Sequence, residues 1–591
     1  MKHIQYIGMT MMAATMLTAI SCSDFDDYNE VPAEQSVAAQ QTLWQNISNN
    51  KELSDFADLV KKSGYDKILS SSHFYTVWAP LNGQFDVAKW QTVDSATLRF
   101  QFVENHIADY NHFISAPVEE RVVTLNEKVY DFKGTSADNA SSFGGQIIAK
   151  SNVVASNGVI HKLSGEAIYH PNFYEYLTSM KTTDSLSKYV LRYEQAKLDE
   201  KNSVAGPIID GIQTYEDSVM IISNSFLSKI RCELDNEDSV YTMLLPTNDA
   251  WDKYYATIKS TFNYGNGTIL GKSYTMDNTV LKELKDLKDE VAAAYLSDSL
   301  TRLSLATPLV FSNNNYYNTW LKEGTVGDTL MSTCRYKFSN PAELLSHQVG
   351  EPIIMSNGTG IVVDTLAFLP WENYVSSTGT MSVSAYKNST VPKRQTIKKF
   401  NEGVGMFYIP GYPGNDYWSY DVSFQWLKAK MSSSDLNAYY NLAGDIRSTT
   451  YSIYCVIVPP CADADYASYD PEAVMKQTIF NAKLEYYNPT AKKVVEHYFH
   501  PTKPEGASSG PGSNADKLEE WAFKNDTTKV DPIYLGDFTF PVCYHGLTNC
   551  HPNLTITAPK LDNAHKNLYS RDLRIAAILL IPAELTKSKG E

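Results

Sequence analysis

The sequence predicts an α+β architecture over its N-terminal two-thirds and an all-β sandwich after it. Three observations lead there. A pattern of apolar run, proline, asparagine and aromatic occurs twice, near residues 76–85 and 242–251. An Asn-Gly box flanked by apolar residues follows each copy, at 156–163 and 356–364. From about Pro370 onward, aromatic and β-branched runs alternate with Pro-, Gly- and Asn-bearing turn signals.

Taken in chain order, residues 1–3 give a short basic start and 4–20 an apolar stretch. That stretch is too short and too polar for a stable membrane span, so 1–21 reads as a secretory signal. Ala19 and Ser21 bracket Ile20 just before Cys22, which makes Cys22 the expected lipidation site. Acyl chains there would hold the mature protein on a membrane at about 0.8 kcal/mol per buried methylene. Residues 22–35 form an acidic tether carrying Asp24, Asp26, Asp27 and Glu30. Four carboxylates beside an anionic leaflet make a poor docking patch and a good solvated spacer.

A chain of 591 residues has room for three or four domains. Hydrophobic content of 43% with 20% charged residues is that of a globular protein. The net charge of -16 argues against nucleic acid as a partner, because no sizeable basic footprint exists to displace counterions. The small basic cluster of Lys393, Arg394, Lys398 and Lys399 reads as a solvated strand face. With Cys22 set aside, Cys232, Cys334, Cys455, Cys461, Cys543 and Cys550 remain, and an exported chain permits disulfides among them. Spacing leaves their pairing open. It is also too loose for a zinc ribbon built with His545 or His551, so no metal is expected.

The duplicated pattern carries the N-terminal reading. Thr76, Pro80, Asn82 and Phe85 recur at the same offsets as Thr242, Pro246, Asn248 and Trp251. Proline stops a buried strand, asparagine is then expected to N-cap the next helix, and the aromatic enters the core from the first turn. Asn157 and Gly158, like Asn357 and Gly358, signal hairpins between apolar runs. An amphipathic helical pattern through Leu43, Leu53, Phe56, Leu59 and Val60 precedes the first copy.

These boxes resemble the two signature segments of fasciclin (FAS1) domains, and His106 matches the histidine of that family's central segment. The resemblance covers about 36–370 and implies two domains in tandem. The first spans 36–171. The second, divergent one spans 172–370, lacks an equivalent histidine, and carries an insertion to which part of the polar stretch 254–288 is assigned. The resemblance implies β-sandwich wedges with packed helices, and adhesion or binding in place of catalysis. A lipidated cysteine, two fasciclin copies and a C-terminal sandwich over 371–591 together resemble fasciclin-domain lipoproteins of Bacteroidetes. Their setting implies association with outer-membrane nutrient importers of the SusC/SusD type.

In the C-terminal region the runs 405–409, 417–424, 451–458, 478–484, 534–540 and 573–581 are predicted strands, which suits a sandwich of seven or eight. Enzyme motifs are near misses. Residues 266–273 have the tail of a phosphate loop but begin with Asn266 where glycine is needed. His497 and His500 fall in a predicted strand, where residues three apart face opposite sides. No catalytic residue and no cofactor is expected.

The best ligand-site candidate is the aromatic turn of Tyr412, Asp416, Tyr417, Trp418 and Tyr420. Its rings could stack on sugar faces while Asp416 grips hydroxyls, or could pack the sandwich core. Asp followed by Ser or Thr and then a small or apolar residue recurs, and resembles the O-glycosylation sequon of Bacteroidetes envelope proteins. The candidate acceptors are Ser95, Ser185, Ser218, Ser239, Ser299, Thr329 and Thr527.

The function expected from the sequence is therefore a non-catalytic lipoprotein on the outer membrane, facing outward. It would bind a glycan or peptide ligand or serve a SusC/SusD-like importer. The rival is adhesion to host or neighbouring-cell glycoproteins.

Overall fold

The computed structural model describes residues 37–135, 141–209, 211–266, 288–369, 389–390, 395–396, 423–429, 435–442, 446–459, 476–501, 520–545 and 552–587. Cys22, the tether, Tyr412, Asp416, Tyr417, Trp418, Tyr420, Cys461, Cys550, His551, the basic cluster and nearly all of 266–273 lie outside them. Chain contacts define two compact units. One comprises 1–179 with 233–241 and 353–360, and the other comprises 180–232, 242–352 and 361–591.

The first unit begins with the helix Leu43–Ser48. Thr42 accepts from the Gln45 amide while the Gln45 side chain accepts from the Thr42 amide, a reciprocal cap that fixes the helix start. The helix Ser54–Lys62 follows and buries Phe56, Leu59 and Val60 on one stripe. Seven strands come next: β1 (Tyr75–Pro80), β2 (Ile107–Asp109), β3 (Val118–Val123), β4 (Val129–Gly134), β5 (Ser142–Phe143), β6 (Gln146–Ala155) and β7 (Gly158–Leu163). They form one sheet in the order β2-β1-β7-β6-β5-β4-β3. β1 runs parallel to β7 and antiparallel to β2. β1, buried from Thr76 to Pro80 and apolar from Val77 onward, suits such a central position.

Two apolar clusters pack this domain. One joins the helices to β1 through Leu43, Phe56, Val77, Phe102 and Ile160. The other gathers Trp78, Phe132, Phe143 and Leu163, with the Trp78 and Phe143 rings stacked at 4.0 Å.

The second copy of the sequence pattern builds β12 (Tyr241–Pro246) and, further on, β13 (Val310–Ser312). Before them stand four strands that the sequence reading did not foresee: β8 (Glu194–Leu198), β9 (Val204–Ile209), β10 (Ile212–Asp217) and β11 (Met220–Asn224). β8 pairs with β11 and β9 with β10, each as a separate two-stranded antiparallel sheet. They occupy the stretch between the helices Ser185–Leu191 and Ser225–Ile230. These strands lie ahead of the box at 242–251 and so outside the insertion expected within 254–288, whose residues 267–287 lie outside the described ones. The four-stranded sheet β13, β12, Gly358–Val363, Ile353–Met355 repeats the order β2-β1-β7-β6.

In the C-terminal region one sheet runs Ser423–Ala429, Leu573–Pro582, Thr450–Ile457, Asp531–Thr539. A second runs Leu436–Asn441, Asn553–Ala558, Gln477–Asn488, Lys493–Phe499. Four of the predicted strands, 451–458, 478–484, 534–540 and 573–581, coincide with strands here. Thr450–Ile457 is buried on both faces from Tyr451 onward, with the buried Ser452 hydroxyl donating to Asp537.

Candidate functional site

The box residues are positioned by pairings between segments distant in sequence. Asn82 was expected to cap the helix that follows it, but Asp86 caps that helix, Val87–Thr92. Asn82 instead reaches back. Its Oδ1 accepts from the Asp55 amide at 3.0 Å, and its amide nitrogen donates to the Lys51 carbonyl at 2.9 Å and the Ser54 hydroxyl at 2.8 Å. The helix Ser54–Lys62 has no side-chain cap of its own, and Asn82 supplies one from across the fold. Asn248 departs from expectation in the same way. Thr247 caps the helix Asn248–Ser260, while Asn248 accepts from the Ser185 amide at 2.8 Å and donates to the Thr183 carbonyl at 2.8 Å.

The second boxes are equally matched. Asn157 accepts from the Leu43 amide at 2.7 Å and donates to the Leu69 and Ser71 carbonyls. Asn357 accepts from the Phe173 amide at 3.1 Å and donates to the Leu234 and Asn236 carbonyls. Ser156 and Asn157 form the two-residue hairpin turn, and Gly158 opens the strand opposite Ala155. Gly358 opens its strand opposite Met355 in the same register. Thr76 donates to the Tyr110 carbonyl, and Thr242 to Asn313 Oδ1.

His106 is wholly buried. Its Nδ1 lies 2.7 Å from the Phe102 carbonyl, so it carries the proton, and Nε2 accepts from the Ala167 amide at 2.9 Å. Burial holds the imidazole neutral, down to about 4. His161 is also fully buried and pushed down to about 4 by burial, with Nε2 on the His112 carbonyl at 2.8 Å and Nδ1 accepting from Asn152. Where the first domain has His106 immediately before β2, the second copy has the buried Leu309 immediately before β13. These histidines are struts with both ring nitrogens engaged, a poor arrangement for acid-base work on a ligand.

A charged cluster in the first unit went unread in the sequence. Lys128, 2% exposed at its side chain, places Nζ 2.7 Å from Glu175 and 2.6 Å from Glu237. Asn172 binds both carboxylates, and the Tyr169 hydroxyl donates to Glu175 at 2.9 Å. Burial and Glu175 together push the Tyr169 phenol well up. Only the pairing of distant segments reveals this cluster, since its charges are 47 and 109 residues apart. Lys128→Met is expected to lower the unfolding midpoint of this unit by an amount equivalent to about 3 kcal/mol, because two carboxylates then face each other unneutralised. Adding Glu175→Gln and Glu237→Gln should recover most of the loss in a thermal melt.

In the second unit a seam binds the end of the helix Asn248–Ser260 to the C-terminal sheets. Tyr264 donates to the His545 carbonyl at 2.8 Å, and the Cys543 amide to the Asn263 carbonyl at 2.7 Å. The Arg447 guanidinium sits 4.4 Å over the Phe262 ring. Burial pushes the Cys543 thiol up to about 11 and the Cys455 thiol higher still, which makes both poor nucleophiles and metal ligands. None of Cys232, Cys334, Cys455 and Cys543 is disulfide-bonded among the described residues.

The remaining sequence candidates fall as follows. His497 packs on Phe538 at 5.0 Å and His500 on Trp521 at 5.3 Å. Ser95 and Ser218 are exposed, whereas Ser185, Ser239, Ser299, Thr329 and Thr527 are half-buried. Several of the Asp-Ser pairs have a local role: Asp94 and Asp184 cap the helices Ser95–Leu98 and Ser185–Leu191, and Asp526 caps a turn through Thr528. Ser299 lies inside the helix Asp289–Ala306. Among the described residues no group of three or more His, Cys, Asp or Glu could hold a metal ion. No helix among them is long and apolar enough to cross a membrane.

The geometry is that of a scaffold whose signature polar groups are spent on its own backbone. Residues 51–165 match the family model of the fasciclin domain, and this part of the chain is a fasciclin domain. Nineteen solved chains match the structure. Among them is the FAS1 domain pair from the insect cell adhesion molecule fasciclin I, 14% identical, which covers 54% of this chain and 97% of that one with a TM-score of 0.19. Another is the CBM22-1 and GH10 portion of the Clostridium thermocellum endo-1,4-beta-D-xylanase 10B complexed with xylohexaose, 8% identical over 35% of this chain and 28% of that one, with a TM-score of 0.16. No curated protein matches the sequence.

Proposed function

We propose that this chain is a non-catalytic surface lipoprotein that binds ligand through two tandem fasciclin-like domains and a C-terminal β-sandwich. The observation that carries the reading is the fasciclin match over 51–165, a domain of cell-adhesion type, with its box asparagines and histidines turned inward as fold staples. The repeated capping by Asn248 and Asn357 supports a second, divergent domain of the same kind. Anchoring through Cys22 would set the protein on the outer membrane facing outward, where tethering raises effective concentration and weak contacts suffice. In that setting it serves a SusC/SusD-like importer and presents glycan or peptide, with Tyr412, Asp416, Tyr417, Trp418 and Tyr420 as the stacking turn. Adhesion to host or neighbouring-cell glycoproteins is the second reading, favoured by the adhesion-type domain itself.

Gentle detergent extraction of outer membranes carrying a C-terminally tagged chain, followed by mass spectrometry, separates the two readings. A stoichiometric transporter is the expected companion. Recovery of the chain alone at mild detergent and low salt would sink the importer reading and leave adhesion.

A further inference from the structure

Three cations gather on the second unit of a chain whose net charge is -16. Arg192 ends the helix Ser185–Leu191, Lys259 lies in the last turn of Asn248–Ser260, and Arg302 sits on Asp289–Ala306. Each lies against a tyrosine ring. The Arg192 guanidinium is 4.5 Å from the Tyr189 centroid and 4.8 Å from that of Tyr193, and it donates to the Tyr193 hydroxyl at 2.9 Å. Arg302 and Lys259 share the Tyr255 ring, at 4.8 Å and 5.2 Å. Burial pushes the Tyr189 phenol well up while Arg192 and Arg302 both pull it back, so the two guanidinium groups act on one hydroxyl and the surface is continuous.

Among the described residues, Arg302 is the one member of the three in an ion pair. Asp298 accepts from its Nε at 3.1 Å and 3.2 Å, and from the Tyr255 hydroxyl. Arg192 and Lys259 have no carboxylate there, although acidic residues outnumber basic ones 67 to 51 in the chain. Both are exposed, and the Arg302 and Asp298 side chains are 35% and 38% exposed. Stacking fixes the Arg192 guanidinium while leaving most of its N–H donors unspent.

We propose that this surface binds an acidic polysaccharide, the cations taking its sulfate or carboxylate groups and Asp298 with Tyr193 taking its hydroxyls. An acidic peptide fits less well. The surface is built on helices, whose backbone groups are already paired, so it offers a peptide no strand edge. Asp298 would also face a further row of carboxylates, whereas a sugar brings hydroxyl donors to it alongside the anion. Remote acids of the chain are screened beyond about 8 Å at physiological salt, so the local sign decides. This site is not the aromatic turn at 412–420 and requires neither the importer nor the adhesion reading.

The test is fluorescence polarisation of labelled oligogalacturonate and of labelled dextran sulfate with the full chain in dilute non-ionic detergent. At least one is expected to bind, more weakly as salt rises from about 0.05 to 0.5 M, and the tighter probe assigns carboxylate or sulfate. Arg192→Gln with Lys259→Gln should weaken binding at least about tenfold and leave the near-ultraviolet circular dichroism unchanged. Lys259→Glu, which keeps the Arg192 stack, should do the same. Lys253→Gln removes an exposed charge from another face of the same helix and should have no effect. Absence of binding by either probe at about 200 µM chain overturns the inference, as does affinity indifferent to the Arg192 and Lys259 variants. Labelled poly-glutamate bound as tightly would assign the surface to acidic peptides, and equal competition by neutral dextran would deny the cations their role; either overturns it.

Discussion

Gly158→Ala is expected to unfold the fasciclin domain, at a cost of at least about 4 kcal/mol, far beyond an ordinary glycine replacement. A Cβ at this position would lie 2.0 Å from the Tyr75 carbonyl oxygen and 2.8 Å from Leu43 Cδ1. The oxygen is backbone in the adjacent β1, and the Leu43 side chain is fully buried in the core cluster, so neither neighbour has room to step aside. The φ of +152° adds strain for any L side chain. Gly358→Ala should behave alike, since its Cβ would meet the Tyr241 carbonyl oxygen at 1.9 Å with φ at +149°. Thermal melts followed by near-ultraviolet circular dichroism, which reports the stacked Trp78, would check the first. A loss under about 1 kcal/mol in either variant would mean that the strands can part to admit a methyl group without consequence.

The second large effect is acid sensitivity. His106 and His161 each titrate near 6.5 when unfolded and near 4 when folded. The unfolded chain therefore takes up protons first, and stability falls as pH drops from 6.5 toward 4, then levels off. Each buried imidazole contributes on the order of 3 kcal/mol of this loss once the pH is below both values. Above pH 6.5 neither contributes any pH dependence. Unfolding at pH 5 should take up about one proton for each of the two histidines. His106→Leu, which installs the residue type found at Leu309 in the second copy, should reduce the uptake by about one. An unchanged uptake would show that His106 does not stay neutral in the folded domain.

Much of this scaffold was legible because strand, proline, asparagine and aromatic recur at fixed offsets. Pro80, which ends β1, could be read locally, whereas Gly158, expected in the turn, opens the strand after Ser156 and Asn157 and is required by the Tyr75 carbonyl of β1. What asparagine does could not be read in this way. Its partner at Asp55 lies 27 residues upstream, and nothing in a window around Asn82 distinguishes capping the next helix from capping an earlier one. The Lys128 cluster was illegible for the same reason. The strands β9 and β10 did leave a signal, Asp210 and Gly211 between isoleucines, which is a hairpin signature, but no regular apolar alternation continues beyond it. The Asp-Ser pairs show the opposite case, a local motif that capping already explains at Asp94 and Asp184.

The long-range capping also constrains the order in which the chain can mature. A polypeptide appearing from its N-terminus presents Leu43–Ser48, held at first by its own Thr42 cap, more than a hundred residues before Asn157, which takes the Leu43 amide and docks the helix. Folding of the first domain is therefore paced by closure of its last hairpin, a contact of high sequence separation, and not by its early helices. The same delay recurs between Phe173 and Asn357, which are 184 residues apart. A truncation ending before either hairpin would leave a helix without the asparagine that docks it, and such fragments should be captured by chaperones or proteases before they can assemble.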